Sequence, residues 1–131
     1  MINFFHNNKI IFYLTNFFLI VLYIFPGSLP GLVFYGDKEI QPQITPDFIL
    51  SSNHFFVFIL ISIIGFFTYA KSKKIKYLVI YLIFLSTILE IFHLIIPNRS
   101  FEWLDLFGNL FGVIVVIFIY NLINNHGVFK K

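Results

Sequence analysis

Residues 88–112, with the sequence ILEIFHLIIPNRSFEWLDLFGNLFG, carry side chains that could do chemistry in an otherwise apolar chain. Glu90 and His93 are three residues apart, so on a helix they lie on one face and can share a proton. Glu90 precedes Pro97 by seven residues, which places it roughly 10 Å inside its helix if the proline ends that helix. After the proline, the guanidinium of Arg99 could hold a phosphate or a carboxylate. We predict a site with Glu90 and His93 as the candidate catalytic residues and Arg99 as the anion-binding residue.

The next apolar run extends this polar pattern. Asp105 and Asn109 are four residues apart and therefore lie on one face of a helix. A carboxylate in the first turn also stabilises a helix N-terminus, so capping is the alternative role of Asp105. An amide deeper in a membrane usually bonds to another helix, so Asn109 either binds a ligand or joins helices. Gly108 and Gly112 form a small-xxx-small pair, which predicts close helix packing.

His54 opens a separate apolar run and completes the candidate site. At the same end of the helices it could meet the face that carries Glu90 and His93. These three residues could bind a metal ion, but their spacing matches no known cage, so we predict neither a metal nor a cofactor. Arg99 should lie at the rim, beside Glu102 and the aspartate of the next helix. The predicted binding residues are His54, Glu90, His93, Arg99, Asp105 and Asn109.

Composition indicates which elements must position these residues. The chain is 59% hydrophobic and 11% charged, with 20 phenylalanines among 131 residues, which is more apolar material than a soluble core of this size could bury. Crossing a hydrocarbon core of ~30 Å takes about 20 apolar residues in a helix, which satisfies its own backbone hydrogen bonds. We predict an all-α, four-helix transmembrane bundle in a single domain, 1–131. The predicted spans are 10–25, 48–70, 77–97 and 103–123.

Lysine placement predicts the orientation of the bundle. Seven lysines fall on one side with no acid among them: Lys9, Lys71, Lys73, Lys74, Lys76, Lys130 and Lys131. The positive-inside rule then puts both termini in the cytoplasm, so the net charge of +3 is a topology signal and nucleic acid is excluded as a partner. The outer loop, 26–47, should be irregular or re-entrant because it holds most of the prolines. One lysine before the first run, and no small-residue cleavage site after it, favour a retained span over a cleaved signal peptide.

The segment from Glu90 to Gly112 resembles the VanZ-like family of small bacterial membrane proteins. The residues that match its pattern are Glu90, Pro97, Arg99, Asp105, Asn109 and Gly112. The family's histidine–aromatic pair, which opens its second span, is matched by His54 and Phe55. Departures from the pattern stand at His93, usually a glutamine, at Leu50 and Ser51, often an Asp-Lys pair, and at Val116, a further glycine in the family. The named member is associated with resistance to the glycopeptide teicoplanin, so the resemblance implies a four-span fold and a role at the cell envelope.

Three functions remain open from the sequence. In the first, an integral protein of the cytoplasmic membrane binds an anionic envelope lipid or precursor in a cleft on its outer face. In the second, the polar residues lock the helices of a structural or accessory protein that has a membrane-protein partner. In the third, Glu90 and His93 belong to a proton path. The inner halves of the spans carry no charge that would continue such a path, so the third is the least favoured.

Overall fold

The computed structural model describes residues 2–47 and 49–125, with side chains from residue 3 onward. Helices and their connections make up this part of the chain, which contains no β-strand. The helices are α1 (Ile2–Asn7), α2 (Ile10–Ile24), α3 (Leu29–Tyr35), α4 (Ser52–Tyr69), α5 (Ile75–Phe92) and α6 (Trp103–Asn125). The predicted all-α class is therefore confirmed, with two short helices, α1 and α3, that were not predicted individually.

Three of these helices, α4, α5 and α6, are long and apolar enough to cross a membrane. Helices α2 and α3 are long and apolar enough only when taken together, and they meet at a bend of 86°. If they are counted as one broken span, the chain has a fourth crossing. Large apolar side chains also remain exposed along the helices, among them Phe18 (61%), Phe84 (63%) and Phe118 (63%). Such a surface is costly in water and suits lipid. The chain is therefore a membrane protein by length and composition, with three to four crossings.

The break after α2 follows from local sequence. Pro26 has no backbone N–H to continue the helix, and Gly27 adopts a φ of 97°. Ser28 then starts α3, since its hydroxyl accepts a hydrogen bond from the Gly31 N–H at 3.0 Å. Gly36, with a φ of 71°, ends α3 in the left-handed conformation. The predicted irregular or re-entrant loop thus contains a short capped helix turned across the end of α2.

The end of α5 differs from the prediction. The helix stops at Phe92, five residues before Pro97. The next N–H groups bond three residues back rather than four, as from His93 to the Glu90 carbonyl (3.0 Å) and from Leu94 to the Ile91 carbonyl (3.1 Å). Such tightening satisfies the last carbonyls of a helix. Glu90 therefore lies in the final turn of α5, and the predicted depth of roughly 10 Å was wrong.

The remaining predicted bounds are closer to the structure. The span predicted at 48–70 is α4, which begins at Ser52, and Phe48 lies outside the described residues. The span predicted at 103–123 is α6, which begins at Trp103 as expected and continues to Asn125. Lys130 and Lys131, which were used for the orientation, also lie outside the described residues. The cytoplasmic position of the termini stays a prediction.

Helices α2, α4, α5 and α6 run alternately up and down, which gives the bundle two distinct ends. At the site end, α2 and α5 finish and α4 and α6 begin. The lysine end holds Lys9 and the connection from Lys71 to Lys76, where the Lys71 ammonium donates to the Asn3 side chain at 2.8 Å. Between the ends lies a core with fully buried Phe58 and Leu82. The candidate site residues all fall at the site end.

Close contact between α4 and α6 brings two of those helices together. A Cβ added to Gly112 would lie 2.6 Å from the Phe55 carbonyl oxygen, and one added to Gly108 would lie 2.9 Å from the Ser51 carbonyl oxygen. Only glycine allows the two backbones to approach this closely. The glycine pair therefore holds the first turns of α6 directly against the first turns of α4.

Candidate functional site

Three ionisable side chains, one from each of three helices, lie close together at the site end. His54 comes from the first turn of α4, Glu90 from the last turn of α5, and Asp105 from the first turn of α6. The Nε2 atom of His54 lies 3.2 Å from Oδ2 of Asp105, and its Nδ1 atom lies 3.8 Å from Oε2 of Glu90. His54 and Glu90 are buried and Asp105 is half-buried. We call these three residues the His54 cluster.

Neighbouring groups determine the orientation of the His54 ring. Nδ1 lies 3.1 Å from Oδ1 of Asn109 and 3.1 Å from the hydroxyl oxygen of Tyr23. The Tyr23 hydroxyl donates its proton to the same Asn109 oxygen at 2.6 Å, and the Asn109 amide nitrogen donates to the Ser86 carbonyl at 3.2 Å. Both groups next to Nδ1 are therefore acceptors, so Nδ1 carries a proton. In a neutral imidazole, the unprotonated Nε2 then faces the carboxylate of Asp105.

Glu90 is fully buried and only partly satisfied. Its Oε1 atom accepts a hydrogen bond from the Glu102 backbone N–H at 3.1 Å. Its Oε2 atom has no hydrogen-bond partner among the described residues. A buried carboxylate oxygen without a partner is costly, so this atom is the least satisfied feature of the site.

His93 lies against Glu90, and its ring is edge-to-face with that of His54 at a centroid distance of 6.3 Å. Its Nε2 atom is 3.2 Å from the Tyr23 carbonyl oxygen, to which it must donate. Its Nδ1 atom is 3.2 Å from Oε1 of Glu90, in a position that does not meet the angles of a hydrogen bond. The ring also stacks on Tyr23, with centroids 5.7 Å apart and planes 14° apart. His93 and Glu90 are thus close enough to share a proton after a small rotation.

Arg99 makes its hydrogen bonds to the end of α2. Its Nε and Nη2 atoms donate to the carbonyl oxygens of Phe25 (3.3 Å) and Leu22 (3.1 Å). Among the described residues, no carboxylate oxygen lies within 4.0 Å of the guanidinium. A cation at the C-terminus of a helix bonds its free carbonyls and opposes the negative end of the dipole. Arg99 therefore caps α2. It also lines one cavity together with Glu102 and Asp105, near which it was expected, although the described residues form no ion pair there with Arg99.

The guanidinium of Arg99 stays protonated although it is half-buried. Desolvation lowers the pKa of Arg99 from its ordinary value, while Tyr23, Glu90 and Asp105 act in the opposite direction. A guanidinium retains its proton at any physiological pH even when half-buried. Arg99 thus supplies a permanent positive charge at the site end.

Two cavities meet beside Arg99. The first, of about 290 Å³, has mostly apolar walls and is lined by residues that include Leu22, Val57 and Ile44. The second, of about 310 Å³, has mostly polar walls. We call them the apolar cavity and the polar cavity. Their shared lining is Ser28, Gln41, His93 and Arg99.

The His54 cluster contributes to the wall of both cavities. His54 lines the apolar cavity and Asp105 lines the polar cavity. Lys38, Glu39 and Glu102 also line the polar cavity. The site can therefore offer cationic, anionic and apolar contacts to one bound molecule.

Five of the six predicted binding residues come together directly. His54, Glu90, His93, Asp105 and Asn109 contact one another or are linked through Tyr23. Arg99 lies next to them through the shared cavity wall. The predicted packing glycines, Gly108 and Gly112, lie behind Asp105 and Asn109, against α4.

Tyr23 is the functional residue that sequence reasoning missed. It is buried and contacts His54, His93 and Asn109, so it links α2 to the other three helices. The only indication in the sequence is a phenol hydroxyl in the last turn of the first span. Six other tyrosines occur in the chain, so that indication was too weak to select this one.

Comparison of the chain with protein-family models, curated proteins and solved structures gave no match. The VanZ-like resemblance of the segment from Glu90 to Gly112 therefore stays an interpretation of the sequence, and function has to be inferred from the site.

Proposed function

We propose that the chain is a multi-pass protein of the cytoplasmic membrane, of the VanZ-like type, that binds an anionic envelope lipid or precursor at its outer face. The observation that carries this proposal is the pair of neighbouring cavities, one mostly apolar and one mostly polar, with Arg99 in the lining of both. An amphiphile would place its hydrocarbon part in the first and its headgroup in the second.

The charged residues of the polar cavity indicate which class of headgroup it would bind. Arg99 and Lys38 supply two cations that favour a phosphate or carboxylate. Glu39, Glu102 and Asp105 supply acceptors for hydroxyl or amide hydrogens. A headgroup that carries both an anionic group and hydrogen-bond donors fits this lining better than a bare anion does.

A lipid-resolved mass spectrum of the protein, purified in a mild detergent, tests the proposal. Lys38→Gln removes a cavity cation while the backbone carbonyl of residue 38 keeps its bond to the Ser28 N–H (2.7 Å). We expect a specific anionic lipid on the wild-type protein and its loss in this variant. Arg99→Lys should retain part of the binding, because a cation remains without the planar fork.

Lys71→Ala is the matched control, since it removes a cation at the lysine end. The proposal is wrong if the wild type carries only bulk lipids, or if Lys38→Gln and Lys71→Ala retain the same specific lipid to the same extent.

The second candidate is a structural or accessory protein in which the same residues lock the helices. The observation that favours it is the number of helices joined by one network: Tyr23 of α2, His54 of α4, Ser86 of α5 and Asn109 of α6. On this alternative, Lys38→Gln has no effect on any phenotype, whereas Asn109→Ala lowers protein abundance. A membrane-protein partner that co-purifies with the wild type would add support to it.

A further inference from the structure

We propose that the His54 cluster binds a divalent transition-metal cation, zinc or manganese, through His54, Glu90 and Asp105. One ligand atom of each residue lies within 4.8 Å of the other two. Nε2 of His54, the ring nitrogen without the proton, lies 3.2 Å from Oδ2 of Asp105. Ligands at about 2.0–2.2 Å from a tetrahedral zinc ion lie roughly 3.4 Å apart, so the His54–Asp105 pair already has the spacing of two zinc ligands, and Glu90 offers its ligand atom within 4.8 Å of both.

The His54 cluster contains a buried ligand atom without a partner. Oε2 of Glu90 is fully buried and has no hydrogen-bond partner among the described residues. Nε2 of His54 faces Oδ2 of Asp105 with a lone pair, since the proton of the ring is on Nδ1. A single proton could bridge one of these pairs and would leave the other atom unsatisfied. One cation among the three ligands satisfies all of them.

Charge balance supports the same conclusion. Two carboxylates approach each other at the end of the bundle, and Arg99, the only arginine, is bonded to carbonyl groups of α2. Bringing two negative charges together away from water is expensive unless a cation or a proton compensates them. A divalent cation neutralises both carboxylates at once.

Groups around the ligands have the arrangement expected of an outer shell. Metal-bound histidines usually donate their other ring N–H to a carbonyl or carboxylate, which fixes the ring. Here Nδ1 of His54 lies 3.1 Å from Oδ1 of Asn109, and that amide is held by Tyr23 and Ser86. The Glu102 N–H likewise holds Oε1 of Glu90. The ligands are thus oriented without the metal.

The ligand set selects the class of metal. One imidazole and two carboxylates suit zinc or manganese, and the chain has no cysteine that would favour copper(I) or an iron–sulfur cluster. Three protein ligands leave a coordination position open, as in catalytic rather than structural zinc sites. Asp105 also lines the polar cavity, so the cation would lie beside that cavity. A water molecule or an oxygen atom of a bound molecule could occupy the open coordination position.

Metal analysis of the purified protein tests this proposal. The wild type is purified without chelator, freed of lipid by extensive detergent washing, and its metal content is measured by mass spectrometry. It is then stripped with EDTA and titrated with Zn²⁺ and with Mn²⁺ by calorimetry. We expect about one metal ion per chain, and binding more than ~100-fold weaker in His54→Gln and Asp105→Asn. Tyr23→Phe should weaken binding by ~10-fold, since it loosens the amide that orients the ring.

Two control variants remove the same chemical groups elsewhere. His6→Gln removes a histidine at the lysine end, where His6 bonds to the Thr68 carbonyl, and Asp37→Asn removes an exposed carboxylate of the outer loop. Both should bind metal as the wild type does. The proposal is overturned if the folded wild type binds neither cation at one site, or if the His54→Gln and His6→Gln proteins bind equally well.

This test is independent of the lipid proposal. Metal binding is measured after lipid removal, and lipid binding is tested with Lys38→Gln, which leaves all three ligands in place. A metal site without a lipid, or a lipid without a metal site, would separate the two conclusions.

Discussion

The two ends of the bundle handle polar groups in opposite ways. At the lysine end, the ammonium of Lys71 and the hydroxyls of Tyr13 and Tyr69 make their contacts at the exposed surface. At the site end, Glu90, His93 and Asn109 are buried, so any hydrogen-bond partner has to come from within the protein, and Oε2 of Glu90 has none among the described residues. Exposed groups can bond to water whenever a partner is lost, whereas buried groups cannot. The hydrogen bonds of the site end are therefore harder to replace than those of the lysine end.

The largest difference between the ends should follow from removing one buried partner. His54→Ala leaves a cavity in the protein and removes a partner of the Asn109 oxygen, and large-to-small substitutions of buried side chains typically cost roughly 2–5 kcal/mol. Lys71→Ala breaks one exposed bond and should cost less than ~1 kcal/mol. Thermal unfolding in detergent measures both. Equal effects of the two substitutions would mean that the site end is as well solvated as the lysine end.

An intermediate difference is expected from helix packing. Gly112→Ala places a Cβ 2.6 Å from the Phe55 carbonyl oxygen, which belongs to the backbone of α4 and cannot rotate away. Overpacking of this kind costs about 1–3 kcal/mol. Gly65→Ala, nearer the lysine end, meets the side chains of Phe12 and Leu78 at 3.0–3.3 Å, which can adjust, so its cost should be smaller.

The unfolding temperatures of the two alanine variants check this order. If Gly65→Ala is the more damaging, the contact between α4 and α6 at the site end is looser than the distances indicate.

The smallest difference should come from two tyrosine hydroxyls. Tyr23→Phe removes the donor to Asn109 at 2.6 Å inside the protein, which should cost ~1–3 kcal/mol at most because the amide oxygen retains His54. Tyr69→Phe removes an exposed bond of 3.0 Å to Tyr13, and surface changes of this kind usually stay within about 0.5 kcal/mol. Denaturation of both variants beside the wild type measures the contrast. Indistinguishable curves would show that the Tyr23 bond contributes no net stability.

Most of the fold could be predicted from the length of the apolar runs and the spacing of the polar residues in the sequence. Runs of about 20 apolar residues indicate spanning helices because the length of a helix must match the thickness of the membrane. The end of α5 was less predictable. Pro97 prevents a helix from continuing, but it does not require the helix to reach it, and the chain tightened into turns at His93 instead.

The sequence also predicted which polar residues lie side by side on one helix. Glu90 and His93 lie together because residues three apart share a helix face, and Asp105 and Asn109 do so because they are four apart. The hydrogen bonds of Arg99 to α2 could not be predicted from the sequence. They depend on where α2 ends relative to the loop after α5, and nothing in the spacing of Arg99 from Glu102 records that position.

The sequence by itself determined an all-helical chain of apolar spans with its polar residues near one end of each span. It did so because hydropathy and helical periodicity are local properties. Only the tertiary structure decided that Tyr23 contacts both His54 and His93, and that Asp105 joins His54 and Glu90 in one cluster. Those neighbours come from different helices, and contacts between helices depend on how the side chains of the whole bundle pack.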